Sequence, residues 1–234
     1  MLGQLRQRGL REIAGDLVLD DSHFDITEPA AGAFDGEAYR LYNVVPNALM
    51  INFKSIDFII TPDTTNGSVT ITTEPELPNL SITSQIKLKS GSCRGSRPSM
   101  HMRFAAADQP DHLIFSGALP ATCRHYRLSR TAMTPQSYGY GVVKKLWSHW
   151  GGSIQGEFRH GALTKKQRPL LIWHSRHLGE LIRPLNKWSN NVMTRMLLYT
   201  IAETRFPAPV TRAQGVTALT EHLVLCIRDQ DLEP

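Results

Sequence analysis

Residues 185–198 read Leu-Asn-Lys-Trp-Ser-Asn-Asn-Val-Met-Thr-Arg-Met-Leu-Leu, a polar break followed at once by an apolar-periodic run. Asn191 to Glu203 has helical spacing, and so does His177 to Leu185 before the break, so two helices joined at a short polar corner are predicted. Inside the corner, Ser189-Asn190-Asn191 sets a hydroxyl two places before a carboxamide. Such a hydroxyl can pass a proton between a base and a leaving amine. Such a carboxamide can donate to a carbonyl and accept from an ammonium while carrying no charge. Two readings of Ser189 stand side by side: a chemical group, or simply the N-cap of a helix starting near Asn190.

Upstream of this corner the period changes twice. Tyr138 to Trp150 carries Val142, Val143, Leu146, Trp147 and Trp150 at helical spacing and stops at Gly151-Gly152. From Tyr42 to about Arg127 the pattern is β-rich, with short runs at 48–53, 56–60, 68–72, 80–83 and 112–117 separated by turn clusters such as Asn66-Gly-Ser. Mainly antiparallel pairing is expected there. Residues 2–14 predict a short amphipathic helix ending near Gly9, then an alternating strand from Gly15 to Asp20; 30–36 is a turn-rich crossing. Leu170-Leu-Ile-Trp predicts one more short strand. No internal repeat or low-complexity tract occurs.

The chain has 234 residues, 41% hydrophobic and 20% charged, which excludes a disordered polymer. Acids crowd the first third, whereas Lys, Arg and His dominate from Arg94 to Arg195, giving a net charge of +5. A polyanion partner or a solvated basic face both fit this asymmetry; no run of five basic residues favours the first. No stretch of 18 apolar residues is present, so no membrane span is expected. The first ten residues are charged without an apolar core or a small-residue cleavage site, which does not read as a signal peptide. Of three cysteines, Cys93 and Cys123 suit one disulfide in an oxidising compartment, and Cys226 reads as an apolar filler.

Ser189-Asn190-Asn191 fits Ser-x-Asn, the second motif of penicillin-recognising serine enzymes. Three further stretches run in the same order as in one of their families: residues 9–24 (Gly-Leu-Arg-Glu-Ile-Ala-Gly-Asp-Leu-Val-Leu-Asp-Asp-Ser-His-Phe), 42–54 (Tyr-Asn-Val-Val-Pro-Asn-Ala-Leu-Met-Ile-Asn-Phe-Lys) and 146–156 (Leu-Trp-Ser-His-Trp-Gly-Gly-Ser-Ile-Gln-Gly). With 186–195 they make the chain, to about Gly215, resemble the D-alanyl-D-alanine carboxypeptidase/endopeptidases of the penicillin-binding protein 4 type. The resemblance implies an α+β fold: a β-rich inserted domain within residues 1–165, centred on about 42–127, followed over 166–234 by the helical part of an incomplete serine β-lactamase/transpeptidase-like catalytic domain. It implies a serine-type hydrolase of peptidoglycan peptides in the periplasm, inhibited by β-lactams when complete. Ser189 would be a catalytic proton relay, Asn191 a catalytic and substrate-binding group, and Cys93–Cys123 a bridge in the insertion. It implies neither cofactor nor metal.

The family also needs Ser-x-x-Lys before the insertion and Lys-Thr-Gly or Lys-Ser-Gly after Ser-x-Asn. The single literal matches, Ser84-Gln-Ile-Lys87 and Lys89-Ser-Gly91, fall together on a predicted strand. There, positions three apart point to opposite faces, so neither is expected to be catalytic. The fragment is therefore expected to be inactive alone. A different class also fits the basic half with its tryptophans: a non-catalytic module that binds peptidoglycan or a protein partner. A nucleic-acid binder is the weakest reading. His174 and His177 lack a placed carboxylate and read as surface residues rather than metal ligands. Trp147, Trp150, Trp173 and Trp188 are expected to pack in cores and interfaces more than to stack on ligands.

Overall fold

The computed structural model describes residues 1–93, 99–164 and 167–230, with side chains for all of these except Ser99 and residues 226–230. A short helix α1 (Leu2–Gln7) is followed by β1 (Glu12–Ile13), β2 (Leu17–Leu19) and β3 (Phe24–Asp25). Six longer strands come next: β4 (Ser55–Asp63), β5 (Ser68–Glu74), β6 (Ser81–Lys89), β7 (Ser99–Phe104), β8 (His112–Pro120) and β9 (Tyr126–Thr131). Then follow α2 (Pro135–His149), β10 (Ser153–Ile154), β11 (Phe158–His160), α3 (Leu178–Lys187), α4 (Asn191–Ala202), β12 (Val210–Thr211) and α5 (Arg212–Gln230). The fold is α+β, as expected.

The β-rich module consists of two three-stranded sheets, ordered β5-β4-β9 and β6-β8-β7. Its alternation is plain in β4, where Ile56, Phe58 and Ile60 are fully buried while Asp57 and Ile59 point outward. These three share one core with Leu113, Phe115 and Leu119 of β8, and the Phe58 and Phe115 rings meet at 4.8 Å. Three of the four ladders are antiparallel, and β6–β8 is parallel over nine residue pairs. Cys93 and Cys123 are disulfide-bonded at a Cα separation of 5.1 Å, clasping the ends of β6 and β8.

Helix α2 begins on Pro135, with the Thr134 side chain accepting from the Ser137 amide at 3.1 Å. Its inner face seats Tyr138, Tyr140 and Trp147, whose polar tips bond Ser55 O (2.9 Å), Gly156 O (3.0 Å) and Ser153 O (3.2 Å). Parallel two-stranded pairs β1–β10, β2–β11 and β3–β12 tie the N-terminal segment to three short strands that follow α2. Helices α4 and α5 approach closely at Gly215, where a Cβ would lie 2.4 Å from the Leu198 carbonyl.

Two expectations fail. Residues 48–53 form no strand, because Asn52, Phe53 and Lys54 turn left-handed in succession (φ 47°, 51° and 52°). Non-glycine residues there cost roughly 1–2 kcal/mol each. Hydrogen bonds from Asn52 to Tyr138 OH (3.2 Å) and from Lys54 to Met133 O (2.9 Å) hold the turn. Residues 170–173 are likewise no strand, since no described strand pairs with them, and Leu170, Ile172 and Trp173 are exposed. Strands β7 and β9 escaped the sequence reading; Arg127 and Arg130 in β9 hide its alternation. The boundary between residues 165 and 166 lies outside the described residues, as does the Cys226 side chain. Among the described residues no helix is long and apolar enough to cross a membrane.

Burial pushes the Lys54 ammonium down to about 8 from its ordinary 10.5. Between those values the unfolded chain holds the extra proton, so stability rises as pH climbs from about 8 to 10.5, by up to about 3 kcal/mol. Below pH 8 the whole cost of burying the cation is present. Urea denaturation across this window is expected to show the rise in the unaltered chain and to lose it in Lys54→Met. Reducing the disulfide, which closes a loop of 30 residues, should cost about 3.6 kcal/mol by loop entropy, read as a lower urea midpoint in reductant.

Candidate functional site

The Ser-x-Asn corner is tighter than the sequence suggests. Helix α3 ends at Lys187, Trp188 closes it by donating to Pro184 O (3.0 Å), and the Lys187 ammonium sits 5.3 Å over the Trp188 ring. Ser189 then takes a left-handed conformation (φ 49°), and the Asn190 amide donates back to Leu185 O at 3.1 Å. Asn190, not Ser189, caps α4: its Oδ1 accepts from the Met193 amide at 2.9 Å. The capping reading of Ser189 is thereby overturned. Asn and Ser are both good caps, and sequence spacing alone could not separate adjacent candidates.

With the cap supplied by its neighbour, the Ser189 hydroxyl makes no hydrogen bond among the described residues, and neither does the Asn191 carboxamide. Both side chains are exposed and line one cleft of about 400 Å³, with Tyr42, Asn52, Phe53 and Trp188 among its walls. Asn191 also borders a second cavity of about 520 Å³, shared with Glu28, Phe34, Tyr42, Arg195 and Arg212. The corner therefore presents an uncharged donor-acceptor pair between two cavities. The left-handed turn at 52–54, missed in the sequence, forms the facing wall.

Electrostatics fix α4 against the segment before Val44. Arg195 donates to Val44 O at 2.5 Å and stands 3.7 Å from Glu28, whose side chain is almost wholly buried. Arg212 lies 3.9 Å from the same carboxylate, and Tyr199 OH donates to it at 3.3 Å. Burial, followed by the Glu28 charge, pushes the Tyr199 phenol up to about 12, so it remains a donor at any working pH. The Tyr42 hydroxyl donates to Asp35 at 2.9 Å, which raises its pKa as well. Tyr42 and Arg195 fall within stretches that carry the resemblance, but nothing singled them out there, and Glu28 lies outside those stretches.

The other candidates stay apart from this site. Ser84 and Lys87 are exposed on β6, and Lys89-Ser90-Gly91 follows at its end. His174 and His177 are exposed, and among the described residues no three His, Cys, Asp or Glu side chains cluster as a metal site. Trp147 is buried under the Arg6 guanidinium, whereas Trp150, Trp173 and Trp188 are half exposed or more.

Comparison with known proteins bears on the fold and the family. The fold is that of penicillin-binding protein 4 (dacB) from Haemophilus influenzae: 99% of the chain superposes with a TM-score of 0.69 at 19% identity, covering 49% of that protein. The same protein complexed with a novel β-lactam matches at TM-score 0.65 and 17% identity, over the same shares. The chain thus spans about half the length of these structures. No curated protein matches the sequence. The chain matches the D-Ala-D-Ala carboxypeptidase 3 (S13) family over residues 1–232 and belongs to it.

The two roles at the corner separate experimentally. Asn190→Ala should lower stability by about 1 kcal/mol through the lost cap. Ser189→Ala should stay within about 0.5 kcal/mol, and Ser189→Gly should lose nothing, because the position is left-handed. Urea midpoints of the three variants check this.

Proposed function

We propose that the chain is part of a serine-type D-Ala-D-Ala carboxypeptidase/endopeptidase that remodels peptidoglycan in the periplasm. The observation that carries this is the pair of unengaged groups, Ser189 hydroxyl and Asn191 carboxamide, facing one cleft from a rigid helical corner. Family membership supports the reaction class. In this reading residues 1–165 form the inserted unit and 166–234 part of the catalytic unit, with β3 reaching across to pair with β12.

The reaction follows the chemistry of the pair. A serine hydroxyl attacks the carbonyl joining the two D-Ala residues, and a lysine amine takes its proton. The C–N bond breaks; Ser189 relays a proton onto the leaving D-Ala amine while Asn191 holds the substrate amide by donating to its carbonyl. Water then hydrolyses the acyl ester and frees the enzyme. The attacking serine and its lysine come from outside these 234 residues, because the one Ser-x-x-Lys present lies on β6. β-Lactams would acylate the same serine.

Residues 1–234 alone should release no D-Ala from a D-Ala-D-Ala peptide and take no label from a fluorescent penicillin. In a polypeptide extended by the flanking coding sequence, Ser189→Ala and Asn191→Ala should each lower kcat/KM for D-Ala release by about 100-fold or more. Labelling of residues 1–234 alone would overturn the external nucleophile. Undiminished activity in both variants would remove Ser189 and Asn191 from the mechanism, and co-sedimentation with peptidoglycan would then identify a binding module.

A further inference from the structure

The heads of the parallel strands β6 and β8 meet the first turn of α2 through three side chains. Asn79 lies two residues before β6 and Asp111 one residue before β8, and the Ser81 amide ties the two heads by donating to Asp111 O at 2.8 Å. From α2, the buried Ser137 hydroxyl donates to Asp111 Oδ2 at 2.5 Å. Asn79 Nδ2 donates to Ser137 Oγ at 2.9 Å and to Ser137 O at 3.0 Å. The Ser137 carbonyl can only accept, so the Asn79 amide is fixed with its nitrogen toward the helix turn. Its Oδ1 lies against Gly141, where a Cβ would come within 2.2 Å.

This cluster is one donor short. Asp111 Oδ1 and Asn79 Oδ1 are both buried and accept no hydrogen bond among the described residues. The charged and titratable groups around them are turned elsewhere. On α2, Tyr138 donates to Ser55 O at 2.9 Å and Lys145 pairs with Glu76 at 2.5 Å. On β8, His112 bonds Thr83 of β6 at 2.8 Å. On β7, Arg103 donates to Phe104 O at 3.2 Å, and Asp108 in the loop that follows is exposed. A carboxylate ionised here would keep one oxygen out of water with nothing on it, which costs far more than burying the acid. Burial accordingly pushes the Asp111 carboxyl above its ordinary 3.8, against the opposing pull of the Ser137 hydroxyl. One proton on Asp111 removes the charge and supplies the missing donor.

We propose that Asp111 is a proton-operated latch between the β-rich module and α2: as the neutral acid it seats the first helical turn on the heads of β6 and β8, and as the carboxylate it loosens that seat. The latch reaches further than its own cluster. Tyr138, the residue after Ser137, accepts from Asn52 at 3.2 Å and so holds the turn that walls the Ser189/Asn191 cleft.

The test reads the carboxyl directly. In the unaltered 234-residue chain, the Asp111 carboxyl carbon resonance, assigned through its backbone by NMR, should titrate with a midpoint above 3.8. Ser137→Ala removes the hydroxyl that favours the charge and should move that midpoint further up. Urea midpoints give the sign independently. As pH rises past 3.8 the unfolded chain loses this proton while the folded chain keeps it, so the unaltered chain should lose midpoint relative to Asp111→Asn. Across the same titration, exchange protection of the Ser81 and Tyr138 amides should fall about threefold or more, and should stay level in Asp111→Asn. A carboxyl midpoint at or below 3.8 would mean an ionised Asp111 with water or a cation on Oδ1, and would overturn the proposal. An unmoved midpoint in Ser137→Ala, or protection indifferent to the titration, would overturn it equally. The carboxyl resonance needs only the unaltered chain, so the test stands even if a variant misfolds. D-Ala release plays no part in it, and the peptidase reading stands or falls separately.

Discussion

The contact on which the site depends is the Arg195 guanidinium. It reaches from α4 to the Val44 carbonyl and toward the buried Glu28, and so joins the helical part of the chain to a segment some 150 residues earlier. Without that junction Tyr42 and Asn191 would belong to separate surfaces. A planar, permanently charged group is well suited here, because different nitrogens of one rigid fork reach the carbonyl and the carboxylate. The Tyr199 phenol and the stack of Phe24 on Tyr199 at 5.1 Å then seal the same junction with apolar area.

Around this junction the chain separates two demands that proteins often combine. The cap of α4 is assigned to Asn190, which frees its neighbours on both sides from structural duty. Ser189 accepts a left-handed backbone, and Asn191 stands at the first turn of the helix with its amide unspent. The facing turn at Asn52–Lys54 is held in the same left-handed region by hydrogen bonds from the turn to Tyr138 and Met133. Backbone strain on both walls of one cleft is a pattern seen where geometry serves chemistry.

Much of the architecture was legible from period alone. The inward alternation of Ile56, Phe58 and Ile60, the helical spacing in α2 and α4, and the Gly151-Gly152 stop are local properties, and local patterns survive folding. The Cys93–Cys123 pair was suggested by spacing and context. What escaped depends on partners far away. Residues 48–53 have strand composition, yet Tyr138 and Met133 impose a turn. Residues 170–173 have strand composition, yet nothing pairs with them. Ser189 and Asn190 are interchangeable as caps on paper, and only the reach of Asn190 to the Met193 amide decides. At the candidate site, Ser189 and Asn191 stood out because a motif marks them, whereas Glu28, Tyr42 and Arg195 gain meaning only from what surrounds them.

The parallel pairing of β2 with β11 has a further consequence. Leu17 to Leu19 runs in register with Phe158 to His160, so the whole stretch between them departs and returns through adjoining strands. That stretch also carries Glu28, Tyr42 and Val44, so its two stems cannot drift apart without loosening the Arg195 contact at the same time.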